Sequence, residues 1–136
     1  DPGAALVLAA HRAHIPVVPL IGPSSILLAL MASGLGGQRF AFHGYLPARE
    51  PVRSQAIRDL EKTARRDRAT QLFIETPYRS AALLDALATT LAPDVLVSVG
   101  ADLSLPGQLI QTRSARNWRG QAETVKDRLV VFGIGM

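Results

Sequence analysis

Residues 17–30 read VVPLIGPSSILLAL, and the reading of this stretch decides the fold. A β-branched run stops at Ile21, Gly22-Pro23-Ser24-Ser25 intervenes, and an apolar run follows at once. The junction is that of a strand turning into a helix, with Gly and Pro setting the turn and Ser24 or Ser25 suited to cap the helix. Such a turn has a second use. In open α/β sheets, ligands bind at the carboxyl ends of strands, where free N–H groups and the positive end of a helix dipole receive carboxylate or phosphate. Gly22 permits close backbone approach and the serines supply hydroxyls. The local sequence leaves both uses open. It lacks the Gly-Lys-Ser/Thr of a phosphate-binding P-loop.

Outward from this stretch, strand and helix alternate. Asp1-Pro2 is a helix opening, with a capping acid and a proline at the first helical position, and Ala4 to Ala13 is a short helix. Ile15 to Ile21 is a strand whose Pro16 and Pro19 suit an edge. Ile26 to Ser33 is a helix apolar nearly all round, expected to be buried, and ended by Gly34, Gly36 and Gly37. Arg39 to Tyr45 is a strand. Val52 to Arg66 is an amphipathic helix with an inner stripe of Ile57, Leu60 and Ala64 and an i,i+4 pair Glu61–Arg65. Strand Ala69 to Glu75, helix Ser80 to Leu91 and strand Val95 to Val99 follow, then strands Leu109 to Arg113 and Leu129 to Ile134. The expected architecture is one α/β domain over residues 1–136, with a mixed, mostly parallel-type sheet flanked by helices.

Composition bounds the function. The 136 residues are enough for one core, and 48% hydrophobic with 19% charged residues excludes a disordered chain. There is no cysteine, so disulfides and thiolate metal sites are excluded, and His11, His14 and His43 show no metal-ligand spacing with carboxylates. No metal is expected, and no catalytic residue is assignable. No apolar run is long enough for a membrane helix and no signal peptide is visible, so no membrane partner is expected and a cytoplasmic location is. The net charge of +4, carried mainly by arginine, suits an anionic partner.

Three further stretches carry candidate chemistry. In FIETPYRS (residues 73–80), Glu75, Thr76 and Arg79 form either a binding rim at a strand's carboxyl end or an ion pair that fixes the turn. In VGADLSLPG (residues 99–107), Ala101 is small enough to let a flat ligand approach. Asp102 either bonds a ligand or holds its own loop. Residues 49–68 hold seven basic and four acidic side chains: a nucleic-acid contact through Arg49 and Arg53, or a solvated helix face.

The segments DPGAALVLAAHRAHIPVVPLIGPSSILLALMASGL, RFAFHGYLPA, FIETPYR and ADL, in this order, resemble the carboxyl-terminal half of the tetrapyrrole-methylase superfamily. Within it the chain is most similar to the branch of small-subunit ribosomal RNA ribose 2′-O-methyltransferases and their uncharacterised relatives. The resemblance implies a tetrapyrrole-methylase C-terminal domain binding S-adenosylmethionine (SAM) against an N-terminal domain of the same protein. It implies that Gly22, Pro23, Ser24, Ser25, Glu75, Thr76, Pro77, Ala101 and Asp102 line the cofactor. Apart from the resemblance, Arg49, Arg53 and Arg79 are the candidates for contact with substrate or nucleic acid. A homodimer is also implied, and the 136 residues alone are expected to be inactive. The alternatives are a basic nucleic-acid-binding module and a dimerisation domain without catalysis of its own.

Overall fold

The pattern of period two and period 3.6 sorts the chain from Phe40 onward into a sheet and its cover. The structure, a computed structural model, describes residues 3–136. The helix opening at Asp1-Pro2 lies outside the described residues. The elements are α1 (Ala4–Arg12), α2 (Ser25–Ser33), β1 (Phe40–Tyr45), α3 (Val52–Asp67), β2 (Thr70–Glu75), α4 (Pro77–Thr90), β3 (Leu96–Ala101), β4 (Leu109–Ser114), α5 (Ala115–Trp118) and β5 (Val130–Gly135), with a 3-10 turn over Ala122–Val125.

The five strands form one sheet in the order β1-β2-β5-β3-β4. The mixed sheet flanked by helices is as expected; the expected parallel majority is not. Only β1 and β2 pair in parallel, joined by the α3 crossover. β3 runs in the same direction as β2, but β5 fills the gap between them and is antiparallel to both. β4 returns from β3 as a hairpin, also antiparallel. Ile15 to Ile21 is not a strand: the segment is extended and exposed, with Leu20 90% accessible. Pro16 and Pro19 remove two donors, and no sheet edge lies alongside to pair with the rest.

Strand alternation assigns two faces. Phe73, Phe132 and Val99 stand in one row across β2, β5 and β3 and point into the main core with α3 and α4. Ile57, Leu60 and Ala64 of α3 and Leu83, Leu84 and Leu87 of α4 are buried there. Each large side chain so buried contributes about 1.5–3 kcal/mol. Trp118 of α5 closes the core and donates from its indole N–H to the Val97 carbonyl at 2.9 Å. The opposite face carries Gly100, Gly133 and Gly135, and these gaps receive Ala29 of α2 and the following Leu35. Consequently α2 is buried on one side only, at Ala29, Leu30 and Ser33, while Leu27 and Met31 remain exposed. The expected all-round burial of this helix fails because it lies on an outer layer. Gly34 ends it with a left-handed φ of 72°.

Candidate functional site

Glu75 is the last residue of β2, 5% exposed, where an unpaired carboxylate is not tolerated. Its Oε1 accepts from the Thr76 backbone N–H (2.7 Å), the Thr76 hydroxyl (3.1 Å) and the Arg79 Nε–H (3.0 Å). Arg79 adds a second guanidinium nitrogen at 2.7 Å. The hydrogen bond to Glu75 raises the guanidinium pKa above its ordinary value and keeps the arginine charged. Pro77 opens α4 at the position where a missing N–H leaves no bond unmade. Of the two uses open to FIETPYRS, the turn-fixing ion pair is present. It occupies Oε1 of Glu75, a residue that lines the cleft.

Asp102 follows β3 with a left-handed φ of 50°, a conformation aspartate tolerates. One carboxylate oxygen accepts from Arg128 Nε (2.6 Å) and the other from the Leu129 backbone N–H (3.2 Å). Arg128 also donates to the carbonyls of Gly107 and Thr124. Both oxygens of Asp102 thus hold loop 102–108 to the segment before β5, as the loop-holding reading has it.

The Gly22-Pro23-Ser24-Ser25 turn is placed by α2. Ser24 occupies the N-cap position with extended backbone, yet its hydroxyl makes no capping bond. The expected serine cap is therefore only positional. The far end of α2 is tied down twice: Thr112 of β4 donates to the Ser33 carbonyl (2.6 Å), and the Ser33 hydroxyl accepts from the Leu35 N–H (3.0 Å).

These elements meet in a cleft of about 240 Å³ at the carboxyl ends of β2 and β3 and the start of β5. Ser25, Glu75 and Asp102 all line it, so three stretches far apart in sequence share one wall. Gly22, Pro23 and Ser24 lie outside it on the exposed approach, and Thr76 and Pro77 stand behind Glu75. Ala101 is a correction. Its side chain is fully buried in the main core, on the other face of the sheet, so it cannot admit a flat ligand. Gly100, one residue earlier and of opposite phase, lines the cleft instead. Tyr45, Leu103 and Leu129 also line it, and their place there is not evident from the sequence.

The arginines divide. Arg53 pairs with Glu50 (2.9 Å), Arg65 with Glu61 (2.9 Å) and Arg66 with Asp67 (2.8 Å), which makes α3 chiefly a salt-bridged solvent face. Arg49 is exposed beside this helix and Arg79 stands at the cleft. Among the described residues no cluster of three or more His, Asp or Glu could hold a metal, and no helix is long and apolar enough to cross a membrane.

Solved structures define the class. The chain superposes over 99% of its length on 61% of the methyltransferase CobJ, with a TM-score of 0.57 and 24% identity. It likewise covers 58% of a uroporphyrin-III-C-methyltransferase from Thermus thermophilus (99% of this chain, TM-score 0.56, 19% identity). A second structure of that Thermus enzyme is complexed with S-adenosyl homocysteine (TM-score 0.52). At these identities the likeness is one of fold, that of the tetrapyrrole methylases.

Sequence relatives are narrower. Ribosomal RNA small subunit methyltransferase I of Vibrio cholerae is 34% identical over 111 residues, 82% of this chain and 37% of the relative. The protein of that name from Mesorhizobium japonicum is 34% identical over 134 residues, 96% of this chain and 44% of its own length. The chain thus has the tetrapyrrole-methylase fold and is similar in sequence to these ribosomal RNA methyltransferases. It spans under half the length of the curated relatives it matches. No family model matches it.

Proposed function

We propose that these residues are the cofactor-lining, C-terminal domain of a SAM-dependent methyltransferase that acts on small-subunit ribosomal RNA. The observation that carries the reading is the convergence of Ser25, Glu75 and Asp102 on one cleft at the strand ends, where an α/β sheet binds its ligand. The cleft suits part of SAM. It is smaller than the roughly 300–1,000 Å³ of a complete small-molecule site, with apolar walls at Leu103 and Leu129 and a carboxylate edge at Glu75. An upstream domain of the same protein supplies the remaining walls in this reading. The exposed apolar residues of α1 and segment 15–21 are the surface it covers.

Bound SAM supplies an electrophilic methyl group. The residues here bind and orient. Ser25 offers a hydroxyl and a helix N-terminus to a carboxylate, and the Glu75 carboxylate accepts from a hydroxyl or amine. Asp102, through Arg128, holds loop 102–108 as a fixed wall. Methyl transfer depends mainly on such positioning, since the nucleophile must meet the methyl in line. The test is calorimetric titration of SAM into this chain and into the same chain with its natural upstream sequence restored. Binding by the longer protein alone is the expected result; binding by neither overturns the reading.

A further inference from the structure

Beside the cleft, the N-terminal turn of α4 carries an arrangement that the cofactor reading does not use. Tyr78 is 75% exposed, an unusual place for a large ring in a chain with only two tyrosines. The Arg79 guanidinium lies 5.3 Å from the centre of that ring. Arg79 is not free to swing, because two of its nitrogens sit on the buried Glu75. Tyr45 lines the cleft from the β1 side. The rim therefore presents one exposed aromatic face, one immobilised planar cation and a second ring.

The chemistry selects the ligand. A flat π face beside a flat guanidinium gains most from another planar ring. The guanidinium charge is already answered by Glu75, so the pair favours a flat neutral ring over a charged group. We propose that Tyr78 and Arg79 form a stacking platform for a nucleobase of the acceptor RNA at the mouth of the cleft. This rests on the RNA methyltransferase reading and extends it to the recognition of substrate.

The experiment uses the full-length protein, with small ribosomal subunits lacking the modification as methyl acceptor and SAM affinity measured separately by calorimetry. Tyr78→Ala and Tyr78→Leu raise KM for the RNA about tenfold. They leave kcat within about twofold and SAM affinity unchanged, because only a base contact is lost. Tyr78→Phe, which keeps the ring, behaves as wild type. An unchanged KM in the Ala and Leu variants overturns the platform while leaving the methyltransferase reading standing. Weakened SAM binding in those variants overturns it in favour of a cofactor wall. A wild-type protein that binds SAM but transfers no methyl to the subunits overturns the RNA reading, and the platform with it.

Discussion

Asp102 connects two loops through a single carboxylate, and the consequence is measurable. Asp102→Asn keeps the side chain's shape and its tolerance of positive φ but removes the charge that Arg128 answers. A charge-assisted bond of this partly buried kind is worth about 1–2 kcal/mol, so urea denaturation should show a loss of that order. Loop 102–108 should also become more sensitive to proteolysis. Gly135→Ala probes the opposite face. An added Cβ would lie 2.8 Å from a Leu35 methyl group, and Leu35 must move away from the sheet. The expected loss is about 1–3 kcal/mol, read from the thermal or urea transition. At this scale the sequence was legible where spacing alone sets geometry: Glu75 and Arg79, four apart around a proline-opened helix, had to be neighbours. It was not legible at Ala101. One step along a strand reverses the face, and nothing local distinguishes the phase of Gly100 from that of Ala101.

Among the elements, α3 shows how surface charges order a helix start. Hydrogen bonds from Ser54 first, then Arg53, hold the Glu50 carboxyl below its ordinary value. A depressed folded pKa contributes stability that is fully present above the unfolded value of 4.5 and is lost as pH falls through the lower folded one. Hydrogen-exchange protection in the first turn of α3, corrected for the intrinsic rate at each pH, should therefore fall on acidification below that point. Glu50→Gln should remove this local pH dependence. Helices α3 and α4 were readable from their stripes because each faces one core from one side. The apolar α2 was misjudged, since composition cannot tell a helix buried all round from one whose outer side awaits another surface. Ile15 to Ile21 failed as a strand for a related reason. Its residues favour an extended backbone, which it has, but a strand also needs a partner edge.

The whole molecule is unevenly finished. Between Leu46 and Ile134 the buried apolar residues form one core cluster, whereas residues 4–31 expose Leu6, Val18, Leu20, Ile21 and Met31. Solutions of the 136-residue chain should bind a hydrophobic dye and associate as concentration rises. On the proposed function, in which an upstream domain covers this surface, the longer protein should do so far less, as sedimentation would show. From β1 to β4 the order of elements was legible in the sequence, and so was the alternation that made an α/β layer; the strand expected at Ile15 to Ile21 is absent and the short α5 was missed. The sheet order was not legible, because no local signal says that the last strand enters the middle.

That insertion reaches into biosynthesis. β5 stands between β2 and β3, and it leaves the ribosome after every strand it must join. The β1–β2 pair and the β3–β4 hairpin each emerge with their own partner, but the interior edges of both wait, unpaired, for Val130 to Gly135. During that interval two open strand edges are available to other nascent chains, so the safe folding of these strands depends on how quickly translation reaches β5.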